Sequence, residues 1–389
     1  MKILFVGGGL RLADSYPLPK LGGSVQTWGL STGLAKRGHE VYIIRRNNVK
    51  HEETVKGVNL VSINFKGIEN IAPTYSYGFY MGSYLSKFLF SKKSLKLIKE
   101  IAPDVICLID RFSGFFPSRL NVPKIYVMHE AGTLDLLRPY EIHSNMLNSV
   151  IFYIKKIFDN GVMRRSDKIV ALNSFYEEYL RRKGFNNVVK IPTGIDIQNF
   201  SNKEDENFVL YAGRFDWNKN VCSLVNIFAQ VHKLHPDYHL YLVGAGRQEK
   251  RIRSLVKENG IQSYVKIIHW LPRKKLMEFM SRCSVFVLPS FFEVSPVVVL
   301  EAMASGKPVI ARANMGTVDI MLHGKNGYLY NDENELRKHL ESLLSDSNLR
   351  KTIGRNARKT VEEKYSFTRI ADKYEELFHT LLKWRSGRY

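Results

Sequence analysis

Short apolar, β-branched runs alternate with helix-patterned stretches along most of the chain. In the first half the runs are residues 3–6, 41–45, 58–63, 105–109, 124–128, 168–172 and 188–191. Each is about as long as a buried strand, and between them apolar residues recur every three or four positions. Residues 26–37 form one such helical stretch, closed by Gly38. In another, Leu147, Val150, Ile151, Ile154, Ile157 and Phe158 recur at i, i+3, i+4, i+7, i+10 and i+11, the spacing of a helix. A second series opens at 208–211 and continues through 240–243, 265–269, 285–288, 309–311 and 328–330. The polar stretch 201–207 separates the two series and reads as a linker.

This alternation predicts parallel sheets covered by helices on both faces. The 389 residues exceed one ordinary core, so two doubly wound α/β domains are expected. A ligand is then expected between them, at the carboxyl ends of the strands.

Composition narrows the partners. With 44% hydrophobic and 12% aromatic residues the chain is neither disordered nor fibrous. Lysine and arginine number 58 against 37 acidic residues, a formal charge of +21. That excess favours partners bearing phosphate: nucleotides, nucleic acid or anionic lipid. The basic runs 92–93, 155–156, 164–165, 181–183 and 273–275 are short and dispersed, as on solvated helix faces. No zinc finger, RNA-recognition signature or basic zipper accompanies them, which argues against nucleic acid. Cys107, Cys222 and Cys283 are scattered, so neither a disulfide framework nor a zinc site is expected, and a reducing cytoplasm is. The apolar start is too short for a signal peptide, and no run of about 18 apolar residues offers a membrane span. Gly7-Gly8-Gly9-Leu10-Arg11-Leu12 lacks the third glycine of a dinucleotide fingerprint, against an NAD-dependent oxidoreductase.

Two segments carry candidate chemistry. In Glu293-Val-Ser-Pro-Val-Val-Val-Leu-Glu301, Ser295 fits a helix N-cap and Pro296 the first helical position, with Gly306 closing the helix. Glu293 then lies in the preceding loop, and Glu301 nearly two turns inside an apolar helix, where a carboxylate needs a partner. The free N–H groups of that helix suit an anionic ligand. Alternatively, Glu301 pairs with an arginine for structural reasons and Glu293 is solvated. In Gly213-Arg214-Phe-Asp-Trp-Asn-Lys219, directly after a strand, Arg214 and Lys219 are spaced to reach one diphosphate, the former by its planar fork, the latter as a point charge. The alternative is a solvated loop.

Together these segments resemble the Glu-x7-Glu and Gly-Arg-x4-Lys motifs of retaining glycosyltransferase family 4, whose fold is GT-B: two Rossmann-like domains facing a central cleft. Gly22-Gly23, Arg37-Gly38-His39-Glu40, Ala102-Pro103-Asp104, His129-Glu130, Pro192-Thr193-Gly194, Gly244-Ala245-Gly246 and Asn326-Gly327-Tyr328 agree in placement, so the resemblance spans nearly the whole chain. It implies an acceptor domain 1–197, to which a C-terminal helix 367–389 returns, and a nucleotide-sugar domain 198–366, with a hinge near 195–207. It implies that Arg214 and Lys219 hold the donor diphosphate, Glu293 the transferred sugar and Glu301 the ribose. It also places His129 near sugar and acceptor, and lets Gly22 and Gly23 bring backbone close to the donor. Taken alone, His129 reads as a capping or core histidine and the glycines as a turn. Thr193 stands where the family often has Asn, and Asn220 replaces a common glycine after Lys219. Val294-Ser295-Pro296 departs from the usual donor-sugar loop, in which Ser295 would contact the donor.

The implied activity is metal-independent transfer of a sugar, with retention, from a nucleoside-diphosphate sugar to a glycan or lipid-linked acceptor. No Asp-x-Asp metal motif occurs, no metal or other cofactor is expected, and Arg214 and Lys219 take over the leaving charge. A phosphorylase or sucrose-synthase-like activity is the alternative. Lys87, Lys92, Lys93, Lys96 and Lys99 fall in 13 residues without an acid, beside Tyr84, Leu85, Phe88, Leu89 and Phe90. Peripheral binding to an anionic cytoplasmic leaflet is one expectation; the alternative is a helix that covers the first sheet and carries solvated lysines.

Overall fold

The computed structural model describes residues 1–7, 22–47, 51–64, 77–129 and 146–387. The rest of the early glycine run and Glu130 lie outside the described residues. The chain forms two compact units: Met1–Pro192 with Ile370–Tyr389, and Thr193–Arg369.

The first unit is built on eight strands: β1 Lys2–Val6, β2 Glu40–Asn47, β3 His51–Val55, β4 Val58–Asn64, β5 Val105–Leu108, β6 Lys124–Val127, β7 Lys168–Ala171 and β8 Val188–Lys190. Their order is β3-β4-β2-β1-β5-β6-β7-β8. All neighbours are parallel except β3 and β4. The helices are α1 Gly22–Ala35, α2 Tyr77–Ile101, α3 Met146–Met163 and α4 Ser174–Arg182. Central β1 and β5 are apolar because both faces of the sheet are covered, and Ile3, Leu4, Phe5, Val105 and Ile106 are fully buried. Gly38, at φ +82°, ends the first helical stretch in the conformation glycine adopts without strain. Asn173 caps α4 by accepting from the N–H of Tyr176 at 2.8 Å.

Strand β3 was absent from the sequence expectation. His-Glu-Glu-Thr-Val is polar because it is an antiparallel edge strand, joined to β4 through Lys56 (φ 50°) and Gly57 (φ 77°). The helical spacing read over 147–158 is borne out by α3, but not every apolar position turns inward: Val150 and Ile157 face solvent, while Ile151, Phe152, Val162 and Met163 are buried. Asp159 decides the rotation. Its carboxylate is buried 3.2 Å from Arg111 and accepts from the Tyr126 hydroxyl at 2.6 Å, which turns positions 152 and 159 inward together.

The second unit carries β9 Phe208–Ala212, β10 His239–Val243, β11 Val265–Ile268, β12 Val285–Leu288, β13 Val309–Arg312 and β14 Tyr328–Tyr330, in the order β11-β10-β9-β12-β13-β14. All pairs are parallel. Its helices are α5 Val221–His232, α6 Glu249–Glu258, α7 Arg273–Arg282, α8 Val297–Ala304, α9 Glu333–Ser345 and α10 Ser347–Lys364. The supposed linker 201–207 is part of this unit. Asp205 binds buried Lys307 at 2.8 Å and Arg350 at 3.0 Å, and the N–H groups of Lys203 and Glu206 bond the carbonyls of Ser281 and Arg282. The stretch is polar because buried cations need its carboxylate, and the unit boundary lies at Pro192/Thr193. Helix α11, Phe367–Ser386, leaves the second unit at its first turn. It then buries Ile370, Tyr374, Phe378 and Leu381, and pairs Asp372 with Arg37, Glu375 with His39 and Arg385 with Asp167.

Candidate active site

In the second sheet the chain runs from β9 outward to β11, then returns to β12 on the other side of β9. A crevice forms at such a reversal, outside the carboxyl ends of β9 and β12. The two segments singled out in the sequence are the loops that leave these strands.

The loop after β9 is held tightly. Phe215 is fully buried, and its N–H bonds Ala245 O at 2.9 Å while its carbonyl accepts from Gln248 N at 2.7 Å. The glycines of the next loop make this approach possible: a Cβ on Gly246 would lie 2.6 Å from the Phe215 backbone, and one on Gly244 1.9 Å from Gly213 O. The Tyr211 hydroxyl donates to Arg214 O at 2.7 Å. The Arg214 side chain is left half exposed, with Nη1 2.6 Å from Asp216 Oδ2. A short turn, Trp217–Lys219, follows, and Asn220 at φ 52° starts α5. The family glycine at this position is thus replaced by the residue that best tolerates the left-handed region.

The loop after β12 is joined to the first. Phe291 N–H donates to Asn218 O at 2.9 Å, and Lys219 Nζ donates to Glu293 Oε1 at 2.6 Å. Behind it, Asn314 donates to Ser290 O at 3.0 Å, and a Cβ on Gly316 would lie 2.5 Å from Glu293 O. Tyr211 links the two loops electrostatically. Burial pushes its phenol well above the usual range; nearby Glu293 and Asp216 add to this, and Arg214 opposes it.

Helix α8 starts one residue later than expected. Pro296 is the cap and Val297 the first helical residue, no side chain caps it, and Ser295 lies in the preceding bend. Glu301 is consequently the fifth helical residue, little more than one turn in. Its carboxylate is buried, with Oε1 2.5 Å from Arg273 Nη2 at the start of α7. The two meet as charges; Oε1 accepts no well-aligned hydrogen bond. Burial pushes the Glu301 carboxyl up, and Arg273 pulls against that. Arg273 was read in the sequence as one of a solvated run. Only its place as the first residue after Pro272, opening a helix, set it apart from Lys274 and Lys275. Asp216 and Tyr211 were likewise not singled out.

The structure therefore brings Lys219 and Glu293 together, sets Arg214 beside Asp216, and gives Glu301 a separate partner. Gly22, Gly23 and His129 belong to the first unit. The glycines are not a loop but the first two residues of α1. His129 is half-buried just past β6.

The profile of glycosyltransferase family 4 matches residues 22–199, and that of the glycosyl transferases group 1 matches residues 194–360. The chain belongs to the group 1 glycosyltransferases of the family 4 type. An uncharacterized glycosyltransferase of Methanocaldococcus jannaschii is 28% identical to it over 67% of this chain and 70% of that protein. Among solved structures, sucrose-phosphate synthase from Thermosynechococcus elongatus covers 98% of this chain and 99% of its own, at 22% identity and a TM-score of 0.81. The Anabaena protein HepE, solved in complex with UDP and glucose, covers 98% and 100%, at 17% identity and a TM-score of 0.71. The fold of this glycosyltransferase is GT-B.

Proposed function

We propose that this glycosyltransferase moves a sugar, with retention and without a metal, from a nucleoside-diphosphate sugar to a glycan or lipid-linked acceptor. The observation that carries the donor half is the pairing of Lys219 with Glu293 across the two loops at the β9/β12 reversal, with Arg214 beside it. A nucleoside diphosphate leaves as a polyanion, and a fixed ammonium and guanidinium stabilise the charge that grows on it. Asp216 and Glu293 hold these cations in the free protein. The diphosphate displaces those contacts, and Glu293 is then released to accept from sugar hydroxyls. Glu301 is assigned to the ribose hydroxyls and Ser295 to the donor. Gly22 and Gly23 are assigned to backbone approach to the donor, and His129 to the sugar and acceptor.

The acceptor half rests on charge. Lys92, Lys93, Lys96 and Lys99 are exposed on α2, and Leu85 and Leu89 project beside them. The other apolar neighbours are engaged: Phe90 is buried, Tyr84 stacks on Phe112 and Phe88 meets Phe158. Among the described residues no helix is long and apolar enough to cross a membrane. A peripheral position on an anionic cytoplasmic leaflet fits these features.

The test is a thermal-shift screen with UDP, GDP and ADP, followed by transfer assays with the matching sugars. Retention is read from the product anomer by NMR, and metal independence from undiminished transfer in chelator. A ligand at 100 times its dissociation constant adds about 2.7 kcal/mol to stability. No shift with any nucleoside diphosphate overturns the donor assignment. Turnover with fructose or inorganic phosphate, and none with glycan or lipid acceptors, favours the phosphorylase or sucrose-synthase-like alternative.

A further inference from the structure

The two loops that leave β9 and β12 carry more than charge. Trp217 stands two residues before Lys219, and Phe291 two residues before Glu293. Phe291 is 39% exposed, and Trp217, beyond the contacts it makes, is 45% exposed. Single exposed hydrophobics are common, but adjoining rings on loops that carry the reacting charges call for a partner. The two ring centroids lie 6.2 Å apart at 32°, and Phe292 meets Trp217 edge-on at 6.2 Å, so the rings form one aromatic wall. The wall is preset. The Phe291 N–H bonds Asn218 O within the turn Trp217–Lys219. From the other side, the Arg312 guanidinium packs over the Phe291 ring at 5.1 Å and the Tyr330 ring at 5.9 Å. Arg312 ends β13 and Tyr330 ends β14, so this brace stands on the sheet itself. Arg273, which fixes Glu301, opens α7 after β11. The two supports therefore flank the β9/β12 reversal from opposite sides.

We propose that this wall is a stacking subsite for a sugar ring of the acceptor, so that the acceptor ends in a pyranose and the second unit shares in its recognition. One face of a pyranose presents axial C–H groups and is apolar, while its edge carries hydroxyls. That face fits an aromatic surface, and rings already fixed before contact lose little freedom on binding. Position selects the acceptor sugar. The wall lies two residues from the groups assigned to the diphosphate and to the transferred sugar, so a ring held there neighbours the reacting one. The nucleoside is held elsewhere, because the carboxylate assigned to its ribose is fixed from α7, whereas the wall is braced from β13. Chemistry selects a sugar over a lipid. Arg312 lies against two rings and backs the wall, which thus offers an apolar face rather than a seat for a bare lipid phosphate. Once the diphosphate has taken Arg214 and Lys219, Asp216 and Glu293 flank the wall as acceptors for hydroxyls, which a sugar has and an acyl chain lacks. The inference rests on the transferase reading above and narrows its acceptor.

The test uses the full chain saturated with the nucleoside diphosphate that stabilises it best. The probes are methyl glucoside, galactoside, mannoside and N-acetylglucosaminide, read by saturation-transfer NMR. At least one is expected to bind, with the strongest transfer to its axial ring protons. Phe291→Ala and Trp217→Ala should each weaken that binding about tenfold, the effect of roughly one lost stacking contact. Trp217→Phe keeps a ring and should recover most of the loss. Phe291→Leu keeps the apolar bulk without the ring, so it reads the same contact if alanine disturbs the loop. Arg312→Gln should weaken binding about threefold, since it removes only the brace. In turnover with the bound glycoside, acceptor KM should rise with these losses, while donor KM and donor hydrolysis stay within about twofold of wild type. Raised donor KM with unchanged glycoside binding gives the wall to the donor and overturns the inference. So does equal glycoside binding by wild type and variants, or none by the nucleotide-loaded wild type, or transfer to diacylglycerol alone; each of these leaves the donor assignment standing. No stabilisation by any nucleoside diphosphate removes both.

Discussion

Two carboxylates of the second unit, Glu293 and Glu301, each hold a cation at nearly the same distance: Lys219 at 2.6 Å and Arg273 at 2.5 Å. Their settings differ. The first pair spans two irregular loops and keeps about one-seventh of each side chain in solvent, at 16% and 14%. The second fastens the start of α7 to the interior of α8, and its carboxylate is all but closed off at 7%. A pair between loops can be opened by a ligand that offers both groups something better. A pair built into two helices sets a cation against a carboxylate whose charged form burial disfavours. The same chemistry therefore serves a transient contact in one place and a permanent position in the other.

The sharpest way to break this comparison is to remove the loop cation. Lys219→Ala should lower turnover by roughly 10²–10³-fold, the effect of losing one fixed donor to a charge that develops in the transition state. Free nucleoside diphosphate should bind only about tenfold more weakly, because the charge on the leaving group is smaller in the ground state. Arg214→Ala should behave alike. Single-turnover kinetics beside calorimetric titration separate the two effects. Turnover within a factor of about three of wild type, for both variants, would remove these residues from the donor site.

Glu293→Gln comes next. Free nucleotide affinity should stay within about twofold, while transfer falls by roughly 10–100-fold, because the lost partner is the sugar. Relief of Lys219 from Glu293 can even tighten the bare nucleotide. A fall in nucleotide affinity with unchanged transfer contradicts the assignment.

The alternation of strands and helices was legible because burial on both faces leaves each strand no choice but apolar residues. Gly-Arg-x4-Lys and Glu-x7-Glu were legible because each directly follows a strand-like apolar run and matches a family motif; that the two strands are neighbours is seen only in the fold. What escaped depended on long-range pairing. Residues 201–207 look like a linker until Lys307 and Arg350 are seen to need Asp205. The rotation of α3 depends on Arg111, far from it in sequence, and no periodicity reports a buried ion pair. Arg273 looked like its neighbours Lys274 and Lys275 until the fold set it against Glu301. Strand β3 escaped because an edge strand need not be apolar.

Glu301→Gln tests the buried pair, with a smaller effect on function and an inverted effect on stability. Affinity for bare nucleoside diphosphate should fall by about tenfold or more, for roughly 1.5–3 kcal/mol of a charged hydrogen bond to ribose. The fold should respond in the other direction. Burial raises the Glu301 carboxyl above its ordinary value of 4.5, outweighing Arg273. A carboxyl raised in the native state supports the fold fully while protonated, below that ordinary value, and the support is lost as pH rises through the native one. Glutamine resembles the protonated form. The variant should therefore melt above wild type at pH 7, and the gap should close as pH falls toward 4. A variant that melts lower at pH 7, with nucleotide affinity unchanged, would make Glu301 a purely structural partner of Arg273.

The smallest effect is expected at Asn220, which fixes the turn that delivers Lys219. At φ 52° and ψ 35° it occupies the left-handed region, where glycine is at ease, asparagine is tolerated and alanine costs roughly 1–2 kcal/mol. Asn220→Gly should leave melting and turnover nearly unchanged, since the turn keeps its shape. Asn220→Ala should lower the melting temperature by about 2–8 °C for a unit of this size. If the Ala side chain relaxes the turn toward negative φ, Lys219 is drawn away from Glu293, and turnover falls several-fold more than nucleotide affinity does. The pair of substitutions thus isolates backbone geometry from side-chain chemistry, because neither touches a charged group. Equal turnover in the Ala and Gly variants would mean that Lys219 finds the diphosphate by its own flexible stem, and that the preset loop contact with Glu293 contributes nothing to the rate.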